Sequence, residues 1–184
     1  MVTIEIIATL LGFAQGILAM LNKRINWIVY AVQMVFLIIF SFYSHLYGDA
    51  VQNVVYFFFC IYSYYLWKSE DFAKITMLSW RARIFVTAII AVSTFILGAM
   101  LETTDDPLPY VDSFTTMTTV IAFVLMMQHR VEAWIVWLFN DIAYMYQYFN
   151  LPDQALYLFG LYIAWTILAV LSFINWYRLY KKTL

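Results

Sequence analysis

The sequence predicts an all-α integral membrane protein, with seven transmembrane helices forming two parallel three-helix repeats joined by a linker helix. Three observations carry that expectation. The 184 residues are 65% hydrophobic and 11% charged, with a mean hydropathy of +0.81. A soluble domain of this size has too small a core to hide so much apolar surface, whereas a bilayer accommodates it. All ten Lys and Arg fall in alternate connections between the apolar stretches or just after the last one. Finally, the apolar stretches on either side of the fourth resemble one another in order.

Taken along the chain, the spans are Ile4–Leu21, Trp27–Tyr43, Ala50–Trp67, Ile84–Leu101, Asp112–Met127, Trp134–Phe149 and Ala155–Tyr177. Each is near the ~20 residues needed to cross a bilayer. The first lacks a preceding basic region and is long enough to stay as a helix, so it does not read as a cleavable signal. Short polar connections punctuate the series: Asn22-Lys23-Arg24, then His45 to Asp49, then the longer Lys68–Arg83. Pro107 and Pro109 close the connection that begins at Glu102. The fourth span is the plainest apolar stretch, which suits a connector. The sixth is the least apolar, because it carries Asn140, Asp141 and Gln147. The seventh is long enough to tilt or to project past the bilayer.

Cationic residues of short loops stay on the cytoplasmic side. With the N-terminus outside, the inner segments hold Lys23, Arg24, Lys68, Lys74, Arg81, Arg83, Arg130, Arg178, Lys181 and Lys182, and the outer ones hold none. Losing one span would scramble this partition, so it supports seven spans, an outer N-terminus and an inner C-terminus.

The second span opens Asn26-Trp27-Ile28-Val29-Tyr30 and reaches Gln33; the sixth opens Ala133-Trp134-Ile135-Val136-Trp137 and reaches Asn140. The third ends Ser63-Tyr64-Tyr65-Leu66-Trp67, and the seventh ends Ser172-Phe173-Ile174-Asn175-Trp176. Residues 1–68 thus form a first repeat and 110–184 a second. Residues 69–109 supply a cytoplasmic loop, the linker helix and an outer loop. Three crossings reverse direction and the extra span restores it, so the repeats are parallel, with substrate expected between them near the midplane.

The chemistry concentrates in Trp134 to Tyr148. Trp134, Trp137, Asp141 and Tyr144 recur at spacings of three and four and share one broad helical face. An acid at membrane depth costs about 2.5–3.5 kcal/mol on insertion scales, so it faces a bundle interior or a wet cavity. A carboxylate framed by indole and phenol rings suits a flat organic cation. Tyr30, Gln33, Asn53, Thr115, Thr119, Asn140 and Gln147 are candidates to read hydroxyls or amides. Duller readings stand beside these. Asp141 and Trp137 could serve an interhelical contact, and the threonines could be small packing residues. Asp49 and Asp112 could be helix caps. Trp27, Trp67, Trp80 and Trp176, at span ends, read as an interfacial belt. Trp134, also at a span end, fits belt and site equally.

Several classes are excluded or disfavoured. One cysteine (Cys60) and two scattered histidines (His45 and His129) allow neither a disulfide framework nor a metal site, and no cofactor is expected. A net charge of −1 gives no reason for nucleic acid as a partner. No nucleophile–base pair is evident, so an enzyme is not expected. Lysines 181 and 182 lie beyond the last span, which removes a retinal-binding protein.

Leu46-Tyr47-Gly48-Asp49-Ala50, Pro109-Tyr110-Val111-Asp112-Ser113-Phe114-Thr115-Thr116 and, above all, Trp134-x-x-Trp137-x-x-x-Asp141 resemble the PnuC-type bacterial vitamin transporters. The resemblance runs along nearly the whole chain. It implies a 3+1+3 helix plan similar to SWEET sugar transporters, a place in the bacterial inner membrane, and facilitated diffusion of a vitamin that a cytoplasmic kinase then traps. Nicotinamide riboside is the favoured substrate. Thiamine, then riboflavin or a deoxynucleoside, are alternatives, and a SWEET-like sugar carrier is the rival outside the vitamins. The resemblance also admits a homotrimer. Many nicotinamide riboside members carry Gln where this chain has Phe123, which leaves the preferred vitamin open.

Overall fold

The computed structural model describes residues 2–43, 47–68, 74–150 and 156–182. Among them are seven α-helices: α1 (Val2–Met20), α2 (Asn26–Tyr43), α3 (Tyr47–Leu66), α4 (Trp80–Leu101), α5 (Pro109–Met127), α6 (Glu132–Asn150) and α7 (Leu156–Lys182). No described residue belongs to a multi-residue strand. His45, and Ala155 at the expected start of the seventh span, lie outside the described residues, as does the side chain of Asp49. By length and composition, α2, α4, α5 and most of α7 can each cross a membrane alone. The polar and phenolic residues of α3 and α6 lower their own hydropathy; Tyr56 and Ser63 of α3 and Asn140 and Asp141 of α6 are buried, whereas Tyr62, Tyr65 and Tyr146 are exposed.

The chain forms two compact units, Met1–Ala73 and Lys74–Leu184. In the first, α2 packs against both α1 and α3. Helix α1 ends in a Schellman turn. Asn22 takes a left-handed φ of 54°. Its N–H donates to Ala19 O at 2.9 Å, and Lys23 N–H donates to Leu18 O at 2.8 Å. This satisfies carbonyls that a helix end leaves orphaned, and Asn tolerates that φ better than most side chains. Trp27 and Trp67 then meet edge to face, 5.3 Å apart at 90°. Arg24 covers the end of α3: its Nε donates to Tyr64 O at 2.7 Å and its guanidinium lies 3.6 Å from the Tyr64 ring centroid.

The second unit repeats these features. In it α6 packs against α5 and α7. His129 takes φ 53°, its N–H donates to Met126 O at 3.0 Å, and Arg130 N–H donates to Leu125 O at 2.9 Å. Trp134 and Trp176 meet edge to face, 5.4 Å apart at 85°. Ser63 and Ser172, both fully buried, each donate to the carbonyl one turn back at 2.6 Å. Trp27, Trp67 and Trp176 are therefore not belt residues; they are 0%, 5% and 0% exposed. The ring that follows each Schellman turn, Trp27 or Trp134, packs edge to face on a ring of the third helix of its set, Trp67 or Trp176, and all four are buried. Trp80, by contrast, is 73% exposed.

Helix α4 starts at an N-cap, with Ser79 Oγ accepting from Ala82 N–H at 3.3 Å. Gly98 is its one buried residue, and there α5 crosses closely. A Cβ at Gly98 would run into the Tyr110 ring. The Tyr110 hydroxyl donates to Glu102 Oε2 at 3.0 Å. Pro109 begins α5, where a missing N–H costs nothing.

Candidate functional site

Helix α6, packed against α5 and α7 in the second unit, carries most of the expected site residues. Asn140 is its anchor. The side chain is 1% exposed, and Nδ2 donates toward three acceptors of α5: Thr115 O at 2.8 Å, Thr118 Oγ1 at 2.8 Å and Thr119 Oγ1 at 2.9 Å. The Thr118 and Thr119 hydroxyls give their own protons to Phe114 O and Thr115 O, so toward Asn140 they act as acceptors. The threonine-rich face of α5 is thus a socket for one amide. Thr115 and Thr119 are brought together with Asn140 by this socket. Asn140 Oδ1 is buried and has no hydrogen-bond partner among the described residues.

Asp141 follows directly and is 5% exposed. Among the described residues, no hydrogen bond or ion pair reaches its carboxylate; the ion pair found there joins Arg83 to Glu132 instead. Tyr162 of α7 lies within electrostatic reach of Asp141. Above it, Tyr144 stacks on Tyr162 with centroids 4.6 Å apart, and Tyr148 joins them at 5.5 and 5.8 Å. Trp137 is half-buried, and no ring contact to it is found among the described residues. Gln147 Nε2 reaches Asp112 Oδ1 at 3.4 Å, at the far end of the same helix pair. A buried carboxyl group near phenol rings, with no protein cation paired to it among the described residues, is an environment that suits a flat organic cation.

Trp134 is not among this group. It is 5% exposed and packs on Trp176, which stacks in turn on His129 at 5.8 Å. Burial lowers the His129 pKa to about 4. In the first unit, Tyr30 stacks with Trp27 at 6.5 Å, Asn53 Nδ2 donates to Ser41 Oγ at 3.4 Å, and half-buried Gln33 has an Oε1 without a partner among the described residues. Tyr148 and Tyr162 were not singled out by the sequence. Tyr148 recurs at i+4 from Tyr144 and i+7 from Asp141, a signal available in the helical period. Tyr162 lies on another helix and left no such trace.

Three comparisons bear on identity. The chain is 27% identical over 130 residues to the nicotinamide riboside transporter PnuC of Haemophilus influenzae. That match covers 65% of this chain and 54% of the relative, so it spans about half the relative's length. The fold is that of a solved structure described as the vitamin B3 transporter PnuC. The TM-score is 0.75 at 22% identity, covering 96% of this chain and 81% of that one. The model of the nicotinamide mononucleotide transporter family matches residues 2–178, and the chain belongs to that family.

Proposed function

We propose that the protein is a membrane transporter for facilitated uptake of nicotinamide riboside, with Asp141 and Trp137 as the centre of its substrate site. The observation that carries this reading is the buried Asp141 carboxylate, which has no cationic partner among the described residues. A pyridinium ring supplies that charge and stacks against Trp137 or the Tyr144 phenol, each contact worth about 0.5–2 kcal/mol. Such moderate contacts suit a carrier, which must release what it binds. The name borne by the Haemophilus relative supports the same vitamin. Thiamine, also a flat cation, is the nearest alternative. Riboflavin, deoxynucleosides and sugars are neutral and leave the carboxylate uncompensated. Asn140, held by the α5 socket, orients the first turns of the site, and Tyr30, Gln33, Asn53, Thr115 and Thr119 are the further candidates for contacts to ribose and carboxamide.

The three-helix sets α1–α3 and α5–α7 are read as parallel repeats joined by α4, a reading supported by the matching Schellman turns, Trp pairs and buried serines. The cationic loops support an outer N-terminus and an inner C-terminus in a bacterial inner membrane. Transport involves no chemical step, and retention falls to a cytoplasmic kinase acting on the imported vitamin. A homotrimer is compatible with the large apolar face of α4.

The test is uptake into proteoliposomes holding the purified protein. Labelled nicotinamide riboside should equilibrate across the membrane without an ion gradient. Thiamine should compete better than riboflavin, thymidine or glucose. Gradient-dependent accumulation, or transport of glucose in preference, would overturn the proposal.

A further inference from the structure

Helix α4 is pinned to the other helices of the second unit at both ends, and the pin near its N-terminal end is an ion pair outside the site described above. Glu132, the first residue of α6, is 7% exposed. Its Oε1 accepts from Arg83 Nε at 2.9 Å and Arg83 Nη2 at 2.8 Å, and from Leu78 N–H at 3.0 Å. The segment before α4 is tied to the same turn. Thr76 N–H donates to His129 O and Val131 N–H donates to Thr76 O, both at 3.0 Å. Arg130 Nη1 adds a longer contact to Met77 O at 3.5 Å. At the other end, Gly98 admits Tyr110 and Tyr110 bonds Glu102. The residue of the first unit equivalent to Glu132 is Ile25, 47% exposed, so this clamp belongs to the second unit alone.

We propose that Glu132 is a positioning residue: with Arg83 it clamps α4 to the start of α6, so that α4 and α5–α7 travel as one body during transport. The inference rests on the transport reading. Helix α4 has little else to hold its N-terminal half, since Gly98 is its one buried residue. Helix α6 bears Trp137 and Asp141, so a loose clamp lets the site-bearing helix turn without carrying α4. Binding to the resting protein does not need the clamp, but the rate of conversion does.

The test uses proteoliposome uptake together with tryptophan quenching by nicotinamide riboside. Glu132→Gln and Arg83→Gln should each lower the maximal uptake rate by roughly tenfold while leaving the binding constant within about twofold, the split expected of a step after binding. The swapped pair Arg83→Glu with Glu132→Arg should recover most of the rate. The lone native cysteine permits a second arm, in a Cys60→Ser background. There, Arg83→Cys with Glu132→Cys is joined by a short bifunctional thiol reagent. Linked protein should transport faster than unlinked protein. Uptake that stops on linking, or single variants with unchanged rates, would overturn the clamp. A parent protein that binds and carries none of the vitamins would instead overturn the transport reading on which the clamp rests.

Discussion

Replacing Asn140 with Leu tests how the second unit is held together. The amide has two N–H hydrogens and three acceptors within 2.9 Å, so at least one bond is shared. Net gains of about 0.5–1.5 kcal/mol per hydrogen bond would give about 1–3 kcal/mol for two. Interhelical bonds inside bilayers average nearer ~0.6 kcal/mol, because the dissociated helices find other partners. The acceptors also lose little: Thr118 and Thr119 keep their bonds to Phe114 O and Thr115 O. Leu fills a similar volume, so no large cavity opens. The expected cost is therefore about 1–2 kcal/mol. It is measured by reversible unfolding in mixed micelles, with helical circular dichroism as the signal. Thr118→Val should cost less alone, and the double variant should fall short of the sum by about 0.5 kcal/mol or more, because the two share one bond. Strict additivity, or a loss below about 0.3 kcal/mol for Asn140→Leu, would refute the socket.

Further outcomes follow from packing and burial. Gly98→Ala forces its methyl into the Tyr110 ring and should cost about 1–3 kcal/mol in the same assay, with the Tyr110–Glu102 bond lost. Trp27→Leu and Trp176→Leu should each cost about 2–4 kcal/mol as buried indoles are truncated, whereas exposed Trp80→Leu should stay within about 0.5 kcal/mol; equal effects would restore the belt reading. His129 lies outside the helices, and its folded pKa near 4 is below the ordinary 6.5. The folded state then binds fewer protons between those values. Stability from this group is complete above about pH 6.5 and falls by up to about 3 kcal/mol as pH drops through the window to about 4. His129→Asn, which tolerates the left-handed φ, should flatten that slope in pH-dependent unfolding.

The spans were legible because hydropathy and the loop cations are properties of whole segments. The expected Trp27–Tyr43 became Asn26–Tyr43, and Ile84–Leu101 lengthened to Trp80–Leu101 once Ser79 supplied a cap. The direction of single rings was harder to read. A Trp at a span end lies inward or outward according to the turn beside it, and Asn22 and His129 do not announce a left-handed φ as a glycine would. The parallel placing of Trp27 with Trp134 and of Trp67 with Trp176 held the clue, since a membrane belt has no need of matched pairs. Asp141 was legible as a misplaced charge. Asn140 was legible as polar, yet its use as a pin into α5 depends on where the threonine face of another helix falls. Glu132 passed unnoticed because an acid at a helix start is ordinary, and its partner Arg83 is distant in sequence.

The most direct measurement is tryptophan quenching by nicotinamide riboside in detergent, with its neutral dihydro form as control, on the parent protein and on Asp141→Asn. If the carboxylate compensates the pyridinium, saturable quenching by the cation should weaken about tenfold or more in the variant, about 1.4 kcal/mol, while the neutral form binds both proteins alike. Equal affinity of the cation for parent and variant would contradict the assignment of Asp141 as the cation-binding group.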